Sequence, residues 1–313
     1  MNDFVRLLSR PVTAGEIGQR LQSASLIGDA DRLIRAIGAL SSDAPGVLAF
    51  CDAANASDRL QSTRATVIFV PSARPVLPGP EQTLIAVDDV RAAFIDAVCL
   101  LLPGADRPFD PAPGVDASAR IDDSASVSPG ACIGADVVIG PRSRVGPGVV
   151  IHADTQIGDD CVIGPGAVIG TVGLAYHDRK DGRRVFFPHL AGVRIGNRVD
   201  VGAHTCICRG MLSHTVIGDD VKIGSLVYVS HGVVIEARAW LSAGTAIAGH
   251  ARIAADALLG IGSVVIDNVV IDAGARIGGG SVVTKHTQPG ETLYGVPAHP
   301  VASMRRFGPT PRD

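Results

Sequence analysis

Residues 215–235 read T-V-I-G-D-D-V-K-I-G-S-L-V-Y-V-S-H-G-V-V-I, with an aliphatic residue at every sixth position. The same period extends over residues 115–283 in three runs, and many of its aliphatic residues are followed directly by glycine. These positions are Val115, Ile121, Val127, Ile133, Ile139, Val145, Ile151, Ile157, Ile163, Ile169, Ile195, Val201, Ile207, Ile217, Ile223, Val229, Ile235, Leu241, Ile247, Ile253, Leu259, Val265, Ile271, Ile277 and Val283. A period of six matches neither the 3.6-residue repeat of a helix nor the alternation of an amphipathic strand.

A short strand that ends in a tight turn satisfies this period. The aliphatic side chain points inward, and the small residue after it lets the backbone bend without a side-chain clash. Three such units close a triangular coil of about 18 residues, and successive coils pair as parallel strands about 4.8 Å apart. The pattern predicts roughly eight coils in a prism about 38 Å long. The predicted fold class is therefore mainly β, a parallel β-helix of hexapeptide repeats.

The composition agrees with this fold and excludes several classes of protein. The 313 residues include 37 glycines, yet only 4% are aromatic, while 46% are apolar. A narrow prism has little room for rings. No strict G-X-Y triplet is present, which excludes collagen, and the apolar content excludes global disorder. The net charge of −3 does not favour nucleic acid or an anionic membrane surface as a partner.

The sequence offers no sign of export or membrane insertion. The N-terminal M-N-D-F-V-R-L-L-S-R lacks the apolar segment of a secretory signal. A membrane helix needs about 20 apolar residues in a row. The aliphatic stretch at residues 97–102 is far shorter than this. We expect a cytoplasmic protein without an integral membrane segment.

Residues 1–102 have a different pattern, typical of a small α/β domain. Thr13 and Glu16 form a potential capping box for a helix that extends to about Leu21. Strands are predicted at residues 47–50, 65–70 and 83–87, followed by a helix that Asp88 caps. Residues 103–114 contain four prolines and are predicted to form a stiff linker.

The repeat is interrupted twice and ends before the chain does. Residues 171–192 form an insertion loop, which in a repeat protein usually lies outside the core and supplies binding surface. Between Ile207 and Ile217 the chain has four residues more than one hexad. Residues 284–313 are predicted to cap the last coil, with Pro289, Pro297 and Pro300 preventing further strand addition.

Several strings narrow the class of protein. Residues 193–210, V-R-I-G-N-R-V-D-V-G-A-H-T-C-I-C-R-G, together with residues 215–224 and 226–235, resemble the UDP-3-O-acylglucosamine N-acyltransferases of lipid A synthesis. These are hexapeptide-repeat acyltransferases, and the resemblance implies a left-handed β-helix preceded by a nucleotide-binding domain. It also implies a homotrimer that moves an acyl group from acyl carrier protein to the amino group of a UDP-sugar. No permanently bound cofactor or metal is implied.

The resemblance assigns roles to individual residues. His231 matches the catalytic histidine and Gly249 the amide that stabilises the oxyanion. The residue types suit this chemistry, since a neutral histidine can deprotonate an attacking amine and a fixed N–H can stabilise the tetrahedral intermediate. These two residues are 18 apart, and the same column by number contains Ser213 and Asp267. The other candidates are His250 and Lys285 for the acyl donor, and Phe50, Tyr176, His189 and His204 for the sugar nucleotide.

The chain departs from the family pattern at identifiable positions. Gly224 stands where an acid usually lies seven residues before the histidine, and Ala56 stands where a second aromatic residue would stack on uracil. The segment after Val283 resembles the cap of coenzyme A-dependent sugar acetyltransferases, in which Lys285 would meet a coenzyme phosphate. Acyl-carrier-protein and coenzyme A thioesters therefore both remain candidate donors.

Two further classes of protein stay open at this point. A zinc enzyme on the same fold would need histidines about five residues apart, whereas His204 and His214 are ten apart. The side chains of Cys206 and Cys208 are expected to face opposite sides of a strand, which would prevent them from sharing a metal. A non-catalytic homologue is the third class, suggested by the glycine at position 224.

Overall fold

A computed structural model describes residues 4–21, 25–52, 56–73, 77–105 and 113–300. Most of the predicted linker and the last thirteen residues of the predicted cap lie outside this described part. The chain forms two compact units. The first contains residues 1–109, 174–191 and 211–213, and the second contains residues 110–173, 192–210 and 214–313.

The first unit contains a six-stranded sheet with three helices. Its elements are β1 (Val5–Thr13), α1 (Ala14–Arg20), β2 (Ser25–Ile27), β3 (Leu33–Gly38), β4 (Val47–Phe50), α2 (Ala56–Ser62), β5 (Val67–Pro71), β6 (Thr83–Val87) and α3 (Val90–Leu101). The sheet order is β1-β3-β4-β5-β6-β2. The four central strands are parallel, and the two edge strands are antiparallel to their neighbours.

The sequence predicted the start of α1 correctly and that of α3 to within two residues. The capping box is present, because the Thr13 hydroxyl accepts from the Glu16 amide at 3.1 Å and Glu16 Oε2 accepts from the Thr13 amide at 3.2 Å. The N-cap of α3 is Asp89 rather than Asp88, and its carboxylate accepts from the Ala92 amide at 3.1 Å. The strands β1, β2 and β3 and the helix α2 were not predicted.

Much of the insertion loop belongs to the first unit. It forms an antiparallel hairpin of β16 (Tyr176–Asp178) and β17 (Arg184–Phe186). Phe187 and Leu190 are buried in the same hydrophobic cluster as Phe94 of α3. His177 and Asp89 contact each other at 2.8 Å. The loop therefore supplies core as well as surface, because the small domain alone does not cover its own apolar helix face.

The second unit is a triangular prism with three parallel faces. The first face contains β7 (Arg120–Ile121), β10 (Val138–Ile139), β13 (Gln156–Ile157), β18 (Val193–Ile195), β21 (Thr215–Ile217), β24 (Val234–Ile235), β27 (Arg252–Ile253) and β30 (Val270–Ile271). The second contains β8 (Ser126–Val127), β11 (Arg144–Val145), β14 (Val162–Ile163), β19 (Asp200–Val201), β22 (Lys222–Ile223), β25 (Trp240–Leu241), β28 (Leu258–Leu259) and β31 (Arg276–Ile277). The third contains β9 (Cys132–Ile133), β12 (Val150–Ile151), β15 (Val168–Thr171), β20 (Cys206–Cys208), β23 (Tyr228–Val229), β26 (Ala246–Ile247), β29 (Val264–Val265) and β32 (Val282–Val283).

The aliphatic positions that define the period point into this prism. From Ile133 to Val283 every one of them is buried, whereas Val115, ahead of the first full coil, is 54% exposed. Small residues after them are required by the close approach of the next coil. A Cβ on Gly202 would lie 2.3 Å from the carbonyl carbon of Gly224. The predicted parallel β-helix of about eight coils is confirmed.

The C-terminal prediction was wrong in one respect. The described part of the tail adds two strands to the second face, β33 (Thr292–Tyr294) and β34 (His299–Pro300). Strand β33 pairs in parallel with β31, and β34 pairs antiparallel with β33. The three prolines do not block this extension, because they lie before β33, between the two strands and on the outer strand, where a missing N–H is tolerated.

Alternating charges line the first corner, the turn between the first and second faces. Three bidentate ion pairs join residues of consecutive coils at 2.7 to 2.8 Å. They are Arg142–Asp160, Arg198–Asp220 and Arg238–Asp256. Each of these residues has a positive φ between 55° and 61°, so each occupies the same kind of corner position. The hydrogen bond from Arg198 lowers the pKa of Asp220, and the hydrogen bond from Arg142 lowers the pKa of Asp160, to which the charge of Arg198 also contributes.

We expect Arg198→Gln to lower the Tm by a few degrees at low ionic strength and by less in about 1 M salt, where the Debye length is about 3 Å. Calorimetric scans at two salt concentrations measure the difference. Arg144→Gln is the control, because the described residues show no ion pair for Arg144, which is also exposed. Equal, salt-independent losses in both variants would contradict an electrostatic role for the ladder.

Candidate active site

The candidate residues of the prism gather at its third corner, the turn between the third face and the first face of the next coil. His231 follows β23 by two residues, Gly249 follows β26 by two, and Lys285 follows β32 by two. The pairing of β23 with β26 and of β26 with β29 places His231, Gly249 and Asp267 one above another. The insertion loop also leaves the prism here, after β15.

His231 lies directly against Gly249. The imidazole Cε1 and Nε2 are 2.6 and 3.0 Å from the point that a Cβ on Gly249 would occupy. Gly249 is buried and His231 is half-buried. A side chain at position 249 would therefore displace the imidazole, which explains why glycine stands there.

The backbone amide of Gly249 is already engaged. It donates to Asp267 Oδ1 at 2.9 Å, and this oxygen is 3.1 Å from the same Cβ point. Asp267 itself is exposed. The imidazole of one coil and the carboxylate two coils on therefore converge on one glycine.

His250 completes the cluster. Its φ is 58°, and its Nδ1 lies 2.6 Å from the Cβ position of Gly232, so the ring packs on the neighbouring coil. The His231 and His250 rings are 5.0 Å apart at 70°. Of the candidates proposed from the sequence, His231, Gly249 and His250 thus form one site.

The protonation of this cluster favours a neutral base. Burial lowers the pKa of His231, as does the neighbouring His250, while the charge of Asp267 opposes the shift. His250 is exposed, but the part of its ring that packs on Gly232 is desolvated, which lowers its pKa, again opposed by Asp267. Both imidazoles are therefore neutral at pH 7, and a neutral imidazole can accept a proton from an attacking amine.

Arg209, and not Ser213, is the residue below His231 in this column. Cys206 pairs with Tyr228 and Ile207 with Val229, so the register places Arg209 opposite His231. The expectation for Ser213 was wrong, because the four extra residues after Ile207 carry it out of the coil and into the first unit. Ile207 pairs with Val229, and Arg209 and His231 each lie two residues after them. Aligning the repeats at Ile207 therefore identifies Arg209, whereas subtracting 18 from 231 does not.

Charged groups surround Arg209 at this end of the corner. Its guanidinium is 3.4 Å from Asp154 Oδ2, and its side chain is only 11% exposed. Arg194 donates to the Asp154 carbonyl oxygen at 2.6 Å. Burial and the charge of Arg194 lower the pKa of His214 to about 4, so this histidine is neutral.

The remaining candidates lie elsewhere. His204 occupies the second corner, between the second and third faces, where its exposed ring packs over Gly166. Lys285 is exposed on the third corner. Phe50, Tyr176 and His189 belong to the first unit.

Those three residues of the first unit have different environments. The Phe50 ring packs on Phe94 at 4.9 Å between centroids and is half-buried. His189 is buried and stacks on Phe186 at 5.3 Å, whereas Tyr176 is 54% exposed. Tyr176 therefore has the most surface available for a ligand.

Cys206 and Cys208 contact each other, so the expectation that they face apart was wrong. Residues two apart in a strand share a face. A hydrogen bond between the thiols lowers the pKa of Cys206 and, with burial, raises the pKa of Cys208. Cys208 Sγ also lies 3.5 Å from the Tyr228 hydroxyl. Within the described ranges, no group of three or more metal-ligating side chains occurs.

Comparisons with known proteins agree with the fold. Sequence profiles described as "Bacterial transferase hexapeptide (six repeats)" and "Hexapeptide repeat of succinyl-transferase" match residues 136–171 and 214–248. The crystal structure of Francisella novicida UDP-N-acetylglucosamine acyltransferase superposes with a TM-score of 0.55 at 27% identity, over 59% of this chain and 67% of that one. The prism is accordingly a left-handed β-helix.

Curated relatives cover different shares of the chain. A UDP-3-O-acylglucosamine N-acyltransferase of Delftia acidovorans is 35% identical over 78% of this chain and 74% of its own length. A probable mitochondrial homologue of Arabidopsis thaliana is 42% identical, but the match spans 27% of this chain and only 28% of that protein. No helix in the described ranges is long and apolar enough to cross a membrane.

Together the repeat profiles and the coiled prism define an acyltransferase of the hexapeptide-repeat class. The long match to the Delftia protein narrows this class. The chain belongs to the UDP-3-O-acylglucosamine N-acyltransferase family.

Proposed function

We propose that this protein is a cytoplasmic N-acyltransferase that moves an acyl group from a thioester on acyl carrier protein to the amino group of a UDP-linked amino sugar, such as UDP-3-O-acylglucosamine. The single observation that carries the proposal is the imidazole of His231 stacked on the buried Gly249. The family relationship supplies the substrate class.

His231 acts as the general base in this proposal. The amine of the sugar attacks the thioester carbonyl carbon, and His231 takes the proton that the nitrogen loses. The carbonyl oxygen becomes an oxyanion that the Gly249 amide stabilises. The C–S bond then breaks as the C–N amide bond remains, and the departing thiolate recovers the proton from the imidazolium.

The first unit binds the nucleotide in this proposal. Phe50, Tyr176 and His189 lie in this unit, and the half-buried Phe50 ring supplies an aromatic face for uracil. His204 is the remaining sugar-nucleotide candidate, and His250 and Lys285 are the donor candidates. His250 and Lys285 lie at the same corner of the prism as His231, whereas His204 lies at another. A role in substrate binding is therefore better supported for His250 and Lys285 than for His204. Assembly as a homotrimer, typical of the family, completes the proposal.

The test compares acyl carrier protein and coenzyme A thioesters of the same 3-hydroxyacyl chain, with UDP-3-O-acylglucosamine as the acceptor. Mass spectrometry of the product detects the new amide, and light scattering measures the oligomeric state. Transfer from acyl carrier protein is expected to dominate. Activity with coenzyme A alone would favour the alternative, a sugar-nucleotide acyltransferase of surface polysaccharide synthesis, for which the exposed Lys285 is the supporting observation. No turnover with any donor would favour a non-catalytic homologue.

The acid limb of the pH profile of kcat/KM should lie below the ordinary histidine pKa. Activity requires neutral His231, and burial lowers the pKa of this residue, so protonation inhibits the enzyme only at lower pH. Rates measured between about pH 5 and 9 at constant ionic strength test this expectation. A limb above the ordinary value would contradict the assignment of His231 as the base.

A further inference from the structure

Asp267 occupies the place that an oxyanion would take. Its Oδ1 accepts from the Gly249 amide at 2.9 Å. Catalytic donors typically lie about 2.7–3.1 Å from the oxyanion they stabilise. A carboxylate oxygen carries negative charge, as does the oxygen of a tetrahedral intermediate, so the resting site contains an internal mimic of that charge.

We propose that Asp267 is a positioning residue that holds the Gly249 amide with its carboxylate until the carbonyl oxygen of the acyl donor displaces it. The inference rests on the proposed acyl transfer. The displaced carboxylate stays beside the histidines, where its negative charge favours the imidazolium that His231 becomes after it accepts the proton. One side chain thus protects the amide in the resting enzyme and supports the base during transfer.

The position of Asp267 makes both roles compatible with the fold. The carboxylate is exposed, so it can release the Gly249 amide by a small rotation that leaves no cavity and keeps its charge near His231 and His250, whereas the amide is fixed in a buried turn. Glycine at position 249 leaves no Cβ between the imidazole and the carboxylate. The family's usual acid is replaced by Gly224 in this chain. The Asp267 carboxylate, two coils further on from His231, opposes the lowering of the pKa of this histidine through its charge.

The same hydrogen bond occurs at the first corner, which provides a matched control. There Asp219 Oδ1 accepts from the Asn197 amide at 2.8 Å, again from the neighbouring coil. That bond lies at a different corner from the candidate site, and its half-buried carboxylate is 3.8 Å from the Arg198 guanidinium. If Asp267 had only a structural role, Asp267→Asn and Asp219→Asn would behave alike.

The experiment measures donor KM, kcat and the acid limb for Asp267→Ala, Asp267→Asn and Asp219→Asn. The Asp267 carboxylate competes with the donor carbonyl for the Gly249 amide, and its negative charge strengthens that hydrogen bond. Asp267→Ala is therefore expected to lower the donor KM about tenfold, and Asp267→Asn to lower it less. In both Asp267 variants kcat should fall and the acid limb of the pH profile should shift to lower pH. Asp219→Asn should leave the donor KM, kcat and the acid limb unchanged. An unchanged or higher donor KM in Asp267→Ala, or the same changes in Asp219→Asn, would overturn the proposal.

Binding separates this proposal from the function on which it rests. A 2-oxoalkyl thioether of pantetheine keeps the carbonyl oxygen but cannot transfer an acyl group. Calorimetry should show tighter binding of this probe to Asp267→Ala than to the wild type, whether or not turnover is detected. Equal affinities would reject the role of Asp267. Absence of turnover in the wild type alone would reject only the proposed function. Circular dichroism confirms the folding of each variant.

Discussion

Replacing His231 with alanine should reduce the turnover number by about 10²–10⁴-fold, the usual contribution of a general base. The imidazole contacts Gly249 across one coil, and its pKa is lowered, so it is neutral when the amine attacks. Among the described residues, the exposed Asp267 carboxylate approaches the same Cβ position of Gly249 at 3.1 Å, but an ionised carboxylate is a far weaker base than a neutral imidazole. His250 packs on Gly232 and is directed differently, at 70° to the His231 ring.

The measurement is single-turnover acyl transfer under saturating donor, accompanied by circular dichroism and light scattering. His231→Gln serves as the second variant, because it keeps a polar side chain of similar size but cannot act as a base at neutral pH. Both variants should fold and assemble as the wild type does. Retention of half the activity in either folded variant would eliminate His231 as the base.

The second large effect concerns stability. Gly202→Ala should destabilise the prism by about 3 kcal/mol, at the upper end of the usual cost of overpacking. The new Cβ would lie 2.3 Å from the carbonyl carbon of Gly224 and 2.4 Å from the amide nitrogen of Ser225. Both are backbone atoms of the turn in the next coil, and the Gly224 carbonyl there accepts from the Thr205 hydroxyl at 2.8 Å, so moving this turn would disturb the stacking of the coils.

Gly148→Ala is the matched control for this prediction. Gly148 has a φ of 66°, and nothing lies within 4 Å of its Cβ position, so alanine there would cost only the left-handed strain of about 1–2 kcal/mol. In the part of the chain that the structure describes, twelve residues other than glycine already have a positive φ. Denaturant unfolding at equal protein concentration compares the two variants. If both variants lost the same free energy of unfolding, a steric clash with the next coil would not explain why glycine follows the inward aliphatic residue at position 202.

Local patterns were predictable because each depends on neighbouring residues. The period of six identified the prism, since one aliphatic residue per turn must face a narrow interior. The capping box identified α1 because Thr13 and Glu16 are only three residues apart. The prolines of the tail were misinterpreted because their effect depends on which side of a strand lacks a partner.

The candidate site was predictable in part. His231 and Gly249 share an uninterrupted run of the repeat, so counting 18 residues placed them together. Counting failed at Ser213, where four additional residues move the chain out of the coil and place Arg209 in the column. The partner of Cys206 was missed by an error about strand faces rather than by any lack of information.

The period of the coil follows from the amino-acid sequence alone, and so do the inward residues, the glycine corners and the pairing of His231 with Gly249. Two features become visible only in the folded chain: the Gly249 amide binds Asp267, and part of the insertion loop packs into the core of the first unit. The difference arises because a repeat fixes which backbone positions stack. Side-chain direction, by contrast, depends on the space and charge that neighbouring coils leave. The hydrogen bond from the Gly249 amide to Asp267 depends on this side-chain direction, so residue spacing alone does not predict it.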